Sequence, residues 1–221
     1  MDRYLQACAA AERIINAVEC AGFDVTDPTS IINSWDYCSM PEDLQYSYGA
    51  SRLVIWDEDY CDYVIKIALN DRYEKFCQHE VEVYAAAVKE GLDAQFAWCM
   101  CYAEPTYADG EIDAPGIYVM EYVDCNEEAA EDITWKYGYE QYCSLNGLDS
   151  SDFDSADAYN DWNQGETEER VLDYIESLMS PEYRRAFEVF MYKWWITDIH
   201  TQNVGFKGSN MVIVDYAGWN W

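Results

Sequence analysis

Residues 63–69 read "YVIKIAL", and the lysine in the middle of that run constrains the chain more than any other residue. A short apolar run so rich in β-branched side chains reads as a strand. An ammonium set into such a strand loses its hydration, which is costly unless something nearby compensates it, so Lys66 needs a reason to be there. A second run of the same kind, "RLVIW" at 52–56, is separated from the first by the polar "DEDYCD" and its flanks. The two read as neighbouring antiparallel strands.

The segment "DRYEKFCQHEVEVYAAAVKEG" reads as a helix stopped by Gly91. "AQFAWCMCYA" and "PGIYVMEYV" read as two more strands joined by a turn around "ADGEID". The order β-β-α-β-β describes a small lobe built on an antiparallel sheet with one helix. Ahead of it, residues 2–21 have Leu5, Ala9, Ile14 and Val18 close to a helical period, with Gly22 as the stop, and "DPTS" forms a turn that caps "IINSW". Beyond Asp124 the pattern changes to helix and acidic loop. "ETEERVLDYIESLM" and "SPEYRRAFEVFMYKWW" read as helices, the second with Ser180 and Pro181 as cap and first turn. "DSSDFDSADAYNDWNQGETEE" is polar enough to be an exposed loop. The expected divisions are 1–45, a helical extension; 46–123, the sheet lobe; and 124–221, a helical lobe carrying the acidic insert. A length of 221 residues suits one domain, or one fold with two small lobes.

The charge is uneven as well as large. Forty-three acids against 13 bases give a net charge of −30, which argues against direct binding to nucleic acid or to an anionic membrane. It permits a salt-adapted surface, a basic protein partner, or imitation of the charge of a nucleic acid. Between Asp124 and Glu182 there are 17 acids against Lys136 and Arg170. Within that stretch Asp149, Asp152, Asp154, Asp157, Asp161, Glu166, Glu168 and Glu169 form the candidate face for a basic partner. No apolar run is long enough to span a membrane, and the first residues read as an amphipathic helix rather than a signal peptide. Nine scattered cysteines with no CxxC pair, and only two histidines, read as reduced, buried thiols in a cytoplasmic protein. His79 is expected to face solvent, and Trp194 and Trp195 to be core.

Near the end, "WWITDIHTQNVGFKGSNMVIVDYAG" sets Asp198, His200 and Asn203 between a helix and the strand "NMVIVD", which ends on Asp215. Two acids and an amide on adjacent loops can do a specific job. One carboxylate accepts a hydroxyl proton, while the amide oxygen and the other carboxylate hold Mg²⁺, a hard ion that prefers oxygen. Phosphoryl transfer uses this set, because its catalysis is mostly positioning and charge neutralisation.

"TDIHTQN" followed by "VIVDYAG" resembles the catalytic and metal loops of the protein-kinase-like superfamily, in the D-x-H-x-x-N form of aminoglycoside and choline phosphotransferases and of small phage-encoded kinase-like proteins. The resemblance implies an α+β, bilobal protein-kinase-like fold: an antiparallel-sheet N-lobe with one helix, and a reduced, mainly helical C-lobe. It implies ATP and Mg²⁺ as cofactors, with Asp198 as catalytic base, Asn203 and Asp215 as metal ligands, and His200 ordering the loop. It asks for a lysine on the third strand, which Lys66 supplies, and a glutamate on the next helix. At about 100° per residue from Tyr73, Glu80 falls among Cys77, Tyr84 and Ala87, and Glu82 falls opposite, so Glu80 is the expected partner of Lys66. In "YSYGASRLV" Gly49 matches the second position of the glycine loop, with Ser47 and Arg52 where the first and third glycines would be. "YVMEYVD" matches the segment linking the lobes, where backbone groups of Glu121 and Val123 would face an adenine.

The sequence departs from the family in three ways. It stops at Trp221, where a protein kinase would continue through an activation segment; Thr197 replaces the arginine of the HRD loop; and the acidic insert has no counterpart in the motif. The expected function is an ATP- and Mg²⁺-dependent phosphotransferase whose acceptor no motif names. The alternative is a catalytically inactive, kinase-fold acidic protein, such as a phage-encoded inhibitor or nucleic-acid mimic, that blocks a basic target.

Overall fold

Five antiparallel strands form the sheet to which "RLVIW" and "YVIKIAL" belong: β1 (Leu44–Tyr48), β2 (Arg52–Asp57), β3 (Tyr63–Ala68), β4 (Cys99–Ala103) and β7 (Ile117–Glu121), in the spatial order β1-β2-β3-β7-β4. The computed structural model describes residues 2–35, 40–60, 62–151, 153–162 and 167–217. A short hairpin, β5 (Thr106–Ala108) and β6 (Glu111–Ala114), stands where the sequence reads as a plain turn; Asp109 (φ 55°) and Gly110 (φ 89°) make its tight connection.

All six residues of β3 are buried because the sheet is covered on both faces. Tyr63, Ile65 and Ile67 pack into a core with α1 (Arg3–Cys20), α2 (Pro28–Ser34), β2 and β7. Ala68 packs on the other side with Cys77 of α3 (Asp71–Glu90). Asp2 caps α1 by accepting from the Tyr4 N–H, and the buried face of that helix is Ala7, Ala10, Ala11, Ile14 and Val18. Leu5 and Ala9 are exposed, so the expected face is right only in its second half. The small side chains let the helix approach the sheet closely, a signal that a count of large apolar residues overlooks. Arginines tie the helix at two levels: Arg3 pairs with Glu121, and Arg13 Nε donates to Asp57 Oδ2 at 2.9 Å. Asn70 caps α3 by accepting from Arg72 and Tyr73, and Gly91, at φ 74°, ends it. His79 is buried on α3, not solvent-facing.

These elements, residues 1–93 and 97–122, form one compact unit; Ala94–Phe96 and the chain from Val123 form the other. The second unit contains α4 (Glu127–Asn146), α5 (Phe153–Trp162), α6 (Thr167–Ser177), α7 (Pro181–Lys193) and a hairpin of β8 (Val204–Lys207) and β9 (Asn210–Ile213). The segment expected as an exposed loop contains α5. Tyr159 of α5 is fully buried, its ring against Trp135, Tyr139 and Tyr142. Phe96 packs against Phe187, Phe190 and Tyr216. Trp195 has a positive φ of 55° and is exposed, contrary to its expected core position, with its ring stacked on Tyr192. Asp149 and Asp157 of the acidic face are exposed. Asp152 and Glu166 lie outside the described residues, as do the side chains of Asp154, Asp161, Glu168 and Glu169. Among the described residues there is no disulfide; Cys77, Cys99 and Cys143 are buried as expected, whereas Cys20 and Cys125 are exposed. No described helix is long and apolar enough to cross a membrane.

Candidate functional site

In the first unit, strand register brings the charges together. Lys66 pairs with Val54 of β2 and Tyr118 of β7, and Arg52 pairs with Ala68 of β3, so Arg52 and Lys66 lie diagonally on one face of the sheet. Helix α3 packs on that face and delivers Glu80 between them. Lys66 Nζ lies 3.2 Å from Glu80 Oε2 and 3.4 Å from Oε1, while Arg52 Nη1 donates to Oε1 at 2.5 Å. The side chains of Arg52, Lys66 and Glu80 are only 7%, 10% and 2% exposed. Glu82, by contrast, is exposed. A cluster buried to this degree holds only while it stays paired; removing one partner of a buried ion pair costs about 3–5 kcal/mol.

A second buried carboxylate, Glu74, lies six residues earlier on α3. Glu74 accepts from the Tyr118 hydroxyl and, at 3.1 Å, from the Gly116 N–H. A Cβ on Gly116 would sit 2.7 Å from Glu74 Oε1, so glycine is needed for that approach. Burial, and then the bond to Glu74, raise the Tyr118 phenol far above its ordinary range. The Cys77 thiol is pushed up to about 12, chiefly by burial, with Arg52 and Lys66 opposing the rise and Glu80 and Glu74 adding to it. Cys77 is therefore a protonated spacer in the cluster and not a nucleophile.

Gly49 lies in the β1–β2 turn, its N–H donating to the Arg52 carbonyl at 3.2 Å. A Cβ there would meet nothing within 4 Å, so the turn itself does not require the glycine. The Glu121 N–H is committed to the Trp98 carbonyl at 2.8 Å and its side chain to Arg3. The Val123 N–H donates to no described residue.

In the second unit, Asp198, His200 and Asn203 occupy the loop after α7. Asn203 is the hub. Its Nδ2 donates to the Asp198 carbonyl at 2.8 Å and lies 3.4 Å from Asp198 Oδ2. Its own carbonyl accepts the Val214 N–H at 2.9 Å and the Asp215 N–H at 3.5 Å. The twelve-residue step from Asn203 to Asp215 is closed by the hairpin, whose first pair is Val204 with Ile213. The chain thus leaves Asn203, turns at Gly208 (φ 64°), and returns to place Asp215 beside its start. Gly205 lets the hairpin lie on residues 123–125: a Cβ there would be 2.6 Å from Val123 Cγ1 and 3.0 Å from the Asp124 carbonyl.

His200 spends both ring nitrogens inside the loop. Nδ1 accepts the Gln202 N–H at 3.2 Å, and Nε2 is 3.0 Å from Asn203 Nδ2 and 3.6 Å from Asp198 Oδ1. That is a loop-ordering geometry. The Asp198 side chain is 27% exposed, enough for a carboxylate to meet an external hydroxyl. Glu127, in the first turn of α4, steadies the loop by accepting from Gln202 Nε2 at 2.9 Å and Thr201 Oγ1 at 3.5 Å.

In the first unit, a lysine on the third strand pairs with a glutamate on the next helix; in the second, a loop–hairpin–aspartate order follows. The first unit is thus an antiparallel sheet with a helix on the face that carries Lys66, and the second is mainly helical with a hairpin. No family model and no curated protein matches the chain. Matching solved structures are aminoglycoside phosphotransferases. One is APH(2")-IIia in its complex with GDP and kanamycin, at 13% identity over 86% of this chain and 71% of that one, with a TM-score of 0.39. Another is the gentamicin complex of APH(2")-IIa, at 15% identity over 90% of this chain and 72% of that one, with a TM-score of 0.38. A third is the ternary complex of APH(2")-IIa with streptomycin and ATP, at 16% identity, 90% and 72% coverage, and a TM-score of 0.38.

Asn203 and Asp215 are the residues of the second unit that could hold a hard cation. With Nδ2 of Asn203 committed to the Asp198 carbonyl, its Oδ1 is the atom left to face a metal, and Asp215 is tethered next to it by backbone. Among the described residues no group of three or more His, Cys, Asp or Glu side chains forms a closed metal cage. Two protein oxygens, completed by phosphate and water, is how Mg²⁺ is ordinarily held. Three contributors went unread in the sequence. Arg52 looked like a substituted glycine-loop position, Glu74 lacked an obvious partner, and Glu127 lay in a segment with no motif. For Arg52 a signal existed: at the start of "RLVIW" it falls on the same face as Lys66 once the strands are paired.

Proposed function

We propose that the chain is an ATP- and Mg²⁺-dependent phosphotransferase acting on a hydroxyl-bearing acceptor. The observation that carries this reading is the gathering of Asp198, Asn203 and Asp215 by one side-chain amide and one carbonyl. Asp198 would take the acceptor's proton, its carboxylate being partly exposed and steadied by Asn203 and His200. Asn203 Oδ1 and the Asp215 carboxylate would hold Mg²⁺, which when bound supplies charge neutralisation at the phosphates. Lys66, oriented by Glu80, would meet a phosphate oxygen, and Gly49 would leave room for backbone amides to approach. Backbone groups of Glu121 and Val123 would receive the base; the uncommitted Val123 N–H supports that assignment.

Thermal unfolding with and without Mg²⁺-ATP tests the reading. The nucleotide should raise the melting temperature, and Asp215→Ala should remove the rise. No shift at millimolar Mg²⁺-ATP in the unsubstituted protein would refute it. The net charge of −30 favours a second reading, a non-catalytic acidic protein that docks a basic partner. Under it Asp215→Ala leaves partner binding intact, while neutralising Asp149 and Asp157 weakens it in a salt-dependent way.

A further inference from the structure

We propose that Arg52 is a positioning residue: it holds the Glu80 carboxylate so that the Lys66 ammonium stays available to a phosphate. The proposal rests on the nucleotide-binding reading above and assigns to this chain a second cation acting through the same glutamate.

The distances set the ranking. Charge-assisted N–H···O bonds run at about 2.7–2.9 Å. Arg52 Nη1 meets Glu80 Oε1 at 2.5 Å, whereas Lys66 Nζ stands at 3.2 and 3.4 Å from the two oxygens. Arg52 is thus the tighter partner. Burial makes the ranking matter: with its side chain 2% exposed, Glu80 cannot fall back on water and must take whichever cation remains. Without Arg52, that cation is Lys66, drawn in to full contact and away from any ligand. The other buried carboxylate of α3, Glu74, is already engaged by Tyr118 and Gly116.

Backbone fixes the guanidinium in this role. Arg52 is the first residue of β2, its carbonyl accepts the Gly49 N–H at 3.2 Å, and its Nε lies 3.3 Å from Ser51 Oγ. The Leu69 N–H donates to the Ser51 carbonyl at 3.0 Å, so the turn that carries Arg52 is also tied to the end of β3. A planar fork rooted in this way holds one carboxylate geometry, which a flexible lysine does less well.

Calorimetric titration of the whole chain with Mg²⁺-ATP and with adenosine, which has no phosphate, tests the proposal. Arg52→Gln should weaken Mg²⁺-ATP by about tenfold or more and leave adenosine unchanged, the loss of one buried charge contact. Arg52→Lys, which keeps the cation, should recover most of that loss. The double variant Arg52→Gln/Glu80→Gln should bind Mg²⁺-ATP more tightly than Arg52→Gln alone, because no carboxylate is left to capture Lys66. An Arg52 that was only a structural brace would make the double variant no better, and that result overturns the proposal. So does an Arg52→Gln variant that binds Mg²⁺-ATP like the parent. Arg52→Met, which keeps the packed stem, replaces Arg52→Gln in both comparisons if the amide variant does not fold. Lys66→Met separates the two ideas. If it binds Mg²⁺-ATP as the parent does, the nucleotide reading itself fails, and the role of Arg52 fails with it.

Discussion

Under the proposed function Asp198 and Asp215 should fail in different ways when changed, because one is assigned the acceptor's proton and the other the cation. Asp198→Asn keeps the Asn203 contact to the backbone carbonyl, since that acceptor is main chain. It should bind Mg²⁺-ATP within a few-fold of the parent and lose about 10²–10⁴ in turnover, the range for removing a general base. Single-turnover transfer to a hydroxyl acceptor, measured beside binding, checks the split. Glu80→Ala should lower stability by about 3–5 kcal/mol, because it strands Arg52 and Lys66 in a buried cluster; denaturant unfolding reads it directly. The pairing of Lys66 with Glu80 was legible in the sequence because helical periodicity places one acid among the apolar residues of α3. The deeper cluster was not, because Arg52 and Glu74 acquire partners only through strand register and long-range packing. His79 was misread for a related reason: it lies beside the buried face of α3, and neighbouring elements decide its exposure. Trp195 is exposed because the backbone turns through a positive φ at that residue, a local event invisible to composition.

At the level of elements, strong apolar runs were legible and lightly buried ones were not. β2, β3, β7 and α3 announce themselves by β-branched runs or helical period. β1 is an edge strand whose burial fades along its length, and its sequence reads equally well as a loop flank. α5 carries too few apolar residues to show a period, and its place comes from Tyr159 docking on the aromatic face of α4. Gly138 is the counterpart of that docking. Replacing a mid-helix glycine by alanine ordinarily stabilises a helix by about 1 kcal/mol. Here a Cβ would collide with the Tyr159 ring, whose hydroxyl and Cζ are among the nearest atoms, with Arg170 Cδ at 3.3 Å. Gly138→Ala should therefore destabilise the chain by about 1–3 kcal/mol, the range for overpacking, and calorimetry should show a lower melting temperature. Between α6 and α7 the sign of a pH effect can be worked out. Burial raises the Glu176 pKa above its ordinary 4.5, although Arg184 at 2.5 Å works against the rise. The folded chain then holds that proton more tightly than the unfolded one, so stability is fully present below 4.5 and declines as pH rises above it. Glu176→Gln should flatten this part of the curve, seen as melting temperature against pH.

For the molecule as a whole, the quantity that matters is 43 acids against 13 bases. A surplus of that size repels itself, and the repulsion favours expansion over the folded state. The buried pairs respond little to salt, because Glu80 and its partners have almost no access to it. Exposed acids such as Asp149 and Asp157 are open to screening by salt. The screening length falls from about 30 Å at 0.01 M to about 10 Å at 0.1 M. Raising KCl across that range should therefore raise the melting temperature, most steeply at the low end and levelling off near 0.3 M, before salt-specific effects on apolar surface take over. Asp149→Asn/Asp157→Asn should reduce the initial slope without changing the plateau. A melting temperature that falls with KCl would mean that attractive surface pairs outweigh the surplus, and that the acids are matched in place. The same titration bears on ligand choice. Under the proposed function an anionic nucleotide crosses the repulsive field to reach Lys66, so its association rate should rise with KCl; under the second reading a basic partner's should fall. Stopped-flow rates at two salt concentrations distinguish an acidic coat that a nucleotide site has to overcome from one that serves to attract a partner.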